Sequence, residues 1–130
     1  MESDYLFVYG TLMRGTHPMH TVLSEHAKFV SNGWITGQLY QIADYPGAIA
    51  SQQSEDKVFG ELYQFSDVQI IQLLDDYEEC SAAFPKPHEY IRRRVNVYVT
   101  EMDISQAWTY FYNRSVASHQ RLLSGRFTSV

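Results

Sequence analysis

Two stretches of this chain carry residues that could do chemistry together. The first is Leu73-Leu74-Asp75-Asp76-Tyr77-Glu78-Glu79, which carries four carboxylates. At ~100° per residue, Ile70, Ile71, Leu74 and Tyr77 fall on one side of a helix. Glu78, four after Leu74 and seven after Ile71, lies at the edge of that apolar stripe, while Asp76 and Glu79 turn toward solvent. A glutamate on the buried side costs free energy unless it is paired or neutral, and desolvation raises its pKa. A carboxyl group tuned in this way can serve as general base and then general acid near neutral pH. Negative charge near a helix C-terminus also opposes the macrodipole, so the position is poor for stability. The plain alternative is a solvated acidic helix end with Glu78 paired to an arginine.

The second stretch is Tyr5-Leu6-Phe7-Val8-Tyr9-Gly10-Thr11-Leu12, an apolar, β-branched and aromatic run cut by a glycine. Such a run reads as a buried strand that ends near Gly10. Gly10 and the small Thr11 let the backbone approach a ligand closely, as in a cradle for a phosphate or carboxylate. Gly10-Thr11-Leu12 is therefore a candidate anion-binding turn, with an ordinary strand end as the alternative.

Other reactive side chains carry weaker signals. Strand alternation puts Arg93 with Ile91, Val95, Val97 and Val99, and Arg92 with Tyr90, Arg94 and Tyr98. A bulge would exchange those faces, so Arg92 and Arg93 both stand as partners for a buried carboxylate or a substrate, beside the simpler reading of a solvated or ion-paired run. Tyr110 and Tyr112 share a strand face and could bring a hydroxyl into a cavity, although core packing is the plainer duty for at least one of them. The five histidines show no metal-ligand spacing, and only His17 and His20 form a pair. Cys80, the single cysteine, excludes an internal disulfide and, beside acidic residues, would have a raised pKa.

The elements that must hold these groups can be read along the chain. Pro18 opens a short helix to about Glu25. Ala27 to Val30 and Trp34 to Ile42 read as extended segments interrupted by Asn32-Gly33. Ala43 to Gly47 is a turn by its Pro-Gly, and Ala48 to Ala50 a short strand. Lys57 to Phe65 alternates, with Val58, Gly60, Leu62 and Gln64 opposite Phe59, Glu61, Tyr63 and Phe65. Ser66-Asp67-Val68-Gln69 has the form of a capping box opening a helix from about Asp67 to Glu79. Cys80 to Pro87 is a loop, and Tyr90 to Thr100 and Ser105 to Tyr112 are two strands joined by an acidic turn. The tail after Asn113 has no clear signal.

Six or so strands with one substantial helix imply an α+β domain. The chain has 130 residues, room for one domain over 1–130 with its core at about 5–112. Ten tyrosines, seven phenylalanines and two tryptophans suit a sheet. In so small a chain the aromatic strands need closure to hide their edges, which favours a small mixed β-barrel with flanking helices. A net charge of −5 argues against a nucleic-acid surface. No run approaches the roughly 20 apolar residues of a membrane helix, and the acidic start lacks the features of a signal peptide. A cytoplasmic protein is the expectation.

With Tyr9-Gly10-Thr11-Leu12 and Leu74-Asp75-Asp76-Tyr77-Glu78 in hand, the chain resembles the gamma-glutamylcyclotransferase-like family, which includes the gamma-glutamylamine cyclotransferases and many small bacterial proteins. Gly37-Gln38-Leu39-Tyr40, Tyr45-Pro46-Gly47, Val58-Phe59-Gly60-Glu61-Leu62-Tyr63, Tyr90-Ile91-Arg92 and Ala107-Trp108-Thr109-Tyr110-Phe111-Tyr112 extend the resemblance from about Tyr5 to Tyr112. It implies a mixed barrel with a cavity at one end. It further implies that the turn at Tyr9, Gly10, Thr11 and Leu12 binds a substrate α-carboxylate and that Glu78 is the general acid/base. Tyr112 is a further candidate for substrate contact. The substrate would be a small γ-glutamyl amine or peptide, converted to 5-oxoproline and an amine or amino acid with no metal or organic cofactor. Many members carry glycine directly after the catalytic glutamate, whereas this chain has Glu79. A second carboxylate there would raise the pKa of Glu78 further or mark a changed substrate. A non-catalytic ligand-binding module of the same fold is the competing expectation.

Overall fold

Alternation along the first strand divides the apolar residues between two cores. The computed structural model describes residues 4–10, 13, 18–78, 88–100 and 102–127, with backbone alone at 18 and 19. Strand β1 (Asp4–Val8) sends Leu6 and Val8 to one cluster, with Leu23, Tyr63, Ile70 and Leu74. Phe7, and Tyr9 just beyond the strand, join the other, with Ile35, Val58, Leu62 and Val97. Because both faces are covered, the run reads as continuously apolar rather than alternating.

The remaining elements are α1 (Pro18–His26), β2 (Lys28–Gln41), β3 (Pro46–Ala50), β4 (Lys57–Phe65), α2 (Gln69–Tyr77), β5 (Tyr90–Thr100), β6 (Asp103–Tyr112) and β7 (Gln120–Arg121). Five strands close on themselves in the order β2-β4-β1-β6-β5, and Trp34 of β2 pairs with Tyr98 of β5 to complete the ring. The β1–β6 contact is parallel, at Leu6 and Trp108, and the other pairings are antiparallel. Strands β3 and β7 extend the sheet by pairing with the C-terminal half of β2. The second cluster fills the ring, and α1 and α2 contribute Leu23, Ile70 and Leu74 to the first. The expected α+β mixed barrel is the fold observed. Among the described residues, no helix is long and apolar enough to cross a membrane.

Four details differ from expectation. Strand β2 is one strand through Asn32-Gly33, with a register shift between Phe29 and Ser31 that lets it curve. The Asn-Gly pair marks the seam of the barrel rather than a turn: a Cβ on Gly33 would come within 2.8 Å of the Tyr98 carbonyl oxygen. The chain reversal before β3 lies at Ala43 to Tyr45, where the amides of Ile42 and Ala43 both donate to the Tyr45 carbonyl, and Pro46-Gly47 already belong to the strand. Helix α2 begins at Gln69, and the acceptor at its first turn is Asp67, whose Oδ1 takes the Gln69 amide at 3.0 Å, in place of the expected Ser66 box. Finally, the tail, which has no clear signal in the sequence, is packed on the barrel as far as Phe127. Phe127 is buried in the barrel core, the Leu122 amide donates to Leu39 O, and the Arg121 guanidinium meets Asp56 at 2.9 Å. Hydrogen bonds from Gln38, Ser51 and Arg121 hold the Asp56 carboxyl below its usual range.

Candidate active site

The end of α2 is set by what lies beneath it. Ile70 and Leu74 are fully buried in the core under the helix, and the Glu78 amide donates to Leu74 O at 2.8 Å, closing the last turn. Asp75, on the same turn, accepts hydrogen bonds from Arg92 Nε at 2.9 Å and from the Tyr110 hydroxyl at 2.6 Å. The helix end is thereby tied to both β5 and β6. Arg92 also lies 4.6 Å from the Trp108 ring, with Arg94 at 4.5 Å from the same ring. Between Arg92 and Arg93, the structure assigns the carboxylate partner to Arg92, and that partner is Asp75. Asp75→Ala is expected to destabilise the chain by about 1–3 kcal/mol, since it removes the carboxylate that joins a half-buried guanidinium and a hydroxyl to the helix end. Urea unfolding near neutral pH reads this.

Glu78 follows as the helix C-cap and lines a cavity of about 230 Å³ together with Tyr9, Gly10, Tyr45, Glu89 and Tyr90. Burial pushes the Glu78 carboxyl up to about 8, and the charge of Glu89 adds to the rise. At neutral pH the group thus holds a proton and can still lose it, which is the property a proton-transfer residue needs. The sign of the stability effect follows. Between pH 4.5 and about 8 the folded chain keeps a proton that the unfolded chain releases. Stability from this group is therefore fully present below 4.5 and is lost as pH rises through 8. Glu78→Gln should erase that loss, leaving the variant more stable than the parent above pH 8 by on the order of 3 kcal/mol. Denaturant titrations at acidic and alkaline pH measure it.

The tyrosines frame the cavity rather than titrate in it. The Tyr9 hydroxyl donates to Tyr110 O at 2.5 Å and accepts from the Ala48 amide at 3.1 Å, joining the end of β1 to β6 and β3. The Tyr90 hydroxyl donates to Pro46 O at 2.7 Å, and Tyr45 donates to Glu89 Oε2 at 2.5 Å. Burial, first among the causes, holds all three phenols above the ordinary tyrosine range, so they remain neutral where Glu78 titrates. Gly10 forms part of the wall beside Pro46: a Cβ there would lie 2.9 Å from Pro46 Cγ.

A family model described as gamma-glutamyl cyclotransferase, AIG2-like, matches residues 6–129. The chain belongs to the gamma-glutamyl cyclotransferase, AIG2-like family. Solved structures agree in fold. An AIG2-like protein from Mus musculus is 29% identical with a TM-score of 0.72, over 91% of this chain and 82% of that one. YtfP from Escherichia coli is 26% identical with a TM-score of 0.66, over 95% of each chain. YkqA from Bacillus subtilis is 24% identical with a TM-score of 0.73; the match takes in 97% of this chain but only 40% of that one. No curated protein matches the chain.

Within this family member, the residues singled out from sequence separate into three groups. Tyr9, Gly10 and Glu78 come together around one cavity. Tyr112 packs one layer behind it, edge-on to Tyr90 at 5.5 Å and to His119 at 6.0 Å. Thr11, Leu12, Glu79, Cys80 and His17 lie outside the described residues. Glu89, Tyr45 and Asp75 were not anticipated. Glu89 acts on Glu78 as a second carboxylate; Glu79, for which the sequence suggested such a role, is among the residues outside the description. Its only sequence signal is a lone acid immediately before the aromatic strand that starts at Tyr90.

Proposed function

We propose that this chain is a γ-glutamyl cyclotransferase that releases 5-oxoproline from a small γ-glutamyl amine or peptide, with Glu78 as the proton-transfer residue. The observation that carries the reading is Glu78 itself, a carboxyl group in a cavity wall with its pKa raised to about 8, beside the Gly10 turn. Family membership supports the reaction class.

In this reading the turn at Gly10 to Leu12 receives the substrate α-carboxylate, and the cavity folds the γ-glutamyl chain so that its own nitrogen meets the γ-carbonyl. Such positioning makes the attack intramolecular and removes the entropic cost of bringing two reactants together. The α-nitrogen forms a bond to the γ-carbonyl carbon, and the bond from that carbon to the leaving nitrogen breaks. The α-ammonium gives up two protons in becoming the ring amide, and the leaving nitrogen gains two and departs as an ammonium. Glu78 relays protons between them and ends in the state in which it began.

Incubation with a panel of γ-glutamyl amines and dipeptides, followed by mass spectrometry, tests the reaction. Release of 5-oxoproline from at least one member is expected. Ligand-dependent thermal stabilisation with no product would replace this reading with a binding module.

A further inference from the structure

Among the described residues that line the cavity, Glu78 and Glu89 are the two charged side chains, and none is a lysine, arginine or histidine. Neither carboxylate forms an ion pair among the described residues. Two carboxylates sharing one small cavity repel each other; the proton that Glu78 holds relieves this, and a ligand cation beside Glu89 would let both ionise. Glu89 is nevertheless fixed in place from two directions. The Asn113 amide donates to Glu89 O at 2.7 Å, and the Asn113 side chain donates to His88 O at 3.0 Å, holding its backbone. The Tyr45 hydroxyl holds its carboxylate, and Tyr45 is itself set by the turn bonds to its carbonyl. Tyr45 and Tyr90, with ring centroids 6.3 Å apart, both line the cavity, and aromatic rings are groups that attract ammonium.

We propose that Glu89, braced by Tyr45, is a substrate-binding residue that holds the ammonium group of the ligand in this cavity. Resting on the γ-glutamyl reading, that group is the α-ammonium, which Glu89 keeps beside Glu78 while Glu78 exchanges its protons. Glu89 thus selects compounds with a free, protonated amine, and a ligand of the same shape with a neutral head binds less well.

Two probes of matched shape, n-butylammonium and n-butanol, test the inference by NMR titration of the intact chain. Work at about pH 6.5 stays below the raised Glu78 value of about 8 and keeps that group protonated. The parent is expected to bind butylammonium at least about threefold more tightly than butanol. Glu89→Gln should remove the preference, and Glu89→Asp, which keeps the charge, should retain part of it. Equal binding of both probes by the parent, or a preference that survives in a folded Glu89→Gln, would overturn the inference. The 5-oxoproline assay is read separately. Cation preference without product would leave Glu89 as the ammonium site and remove the cyclotransferase reading, whereas product without cation preference would do the reverse.

Discussion

Glu78→Gln is expected to lower 5-oxoproline release by about 10²–10⁴-fold, the usual weight of a positioned general acid/base. The amide has nearly the shape of the protonated carboxyl, so the cavity should keep its form and substrate binding should change little. The loss belongs in kcat. It arises because glutamine can neither take the proton from the α-nitrogen nor return it to the leaving nitrogen. The same substitution is expected to stabilise the fold at alkaline pH, since it removes a carboxyl group whose ionisation is opposed by burial and by Glu89. A variant that gains stability while losing activity is hard to explain if Glu78 is only a structural cap. Steady-state kinetics beside denaturant unfolding of the same preparation checks both halves.

A large structural effect is expected at Gly60. A Cβ there would lie 2.2 Å from the Val8 carbonyl oxygen and 2.7 Å from Phe7 Cζ. The first obstacle is backbone of β1 and cannot be relieved by a rotamer change. Gly60→Ala must therefore push β4 and β1 apart where Val8 pairs with Glu61. A rigid core accommodates such overpacking poorly, and a loss of about 3 kcal/mol or more is expected. Tyr9 and Gly10 follow Val8 directly, so the cavity wall should shift as well. Thermal unfolding gives the stability term. Activity measured well below the lowered melting temperature should still be reduced, because the displaced strand carries the turn.

Much of this architecture was legible in the chain, for identifiable reasons. β1, β4 and the β5–β6 pair carry dense aromatic and β-branched patterns whose meaning is local. Glu78 was visible because helical geometry places it beside Leu74 and Ile71 whatever surrounds the helix. What escaped reading depends on closure of the barrel. The Asn32-Gly33 pair has the composition of a turn, yet Gly33 serves the close approach of β2 to Tyr98. The tail has no periodicity of its own, because Phe127 and the Leu122 amide find partners only on strands already assembled. Glu89 escaped for the same reason. Its importance comes from Tyr45 and Glu78, which lie 44 and 11 positions earlier and meet it only in the fold. Sequence pointed to Glu79 as an acidic neighbour of Glu78, and among the described residues the carboxylate that acts on Glu78 is Glu89.

The central claim is that Glu78 moves the proton in this cavity. It is tested most directly by kcat/KM for 5-oxoproline release, measured from about pH 6 to about pH 9.5 for the parent chain and for Glu78→Gln, because this parameter reports groups of the free enzyme. The parent should rise through a midpoint close to the raised value of about 8. Glu78→Gln should be far slower and lack that rise. A Glu78→Gln profile that matches the parent in height and midpoint would contradict the account.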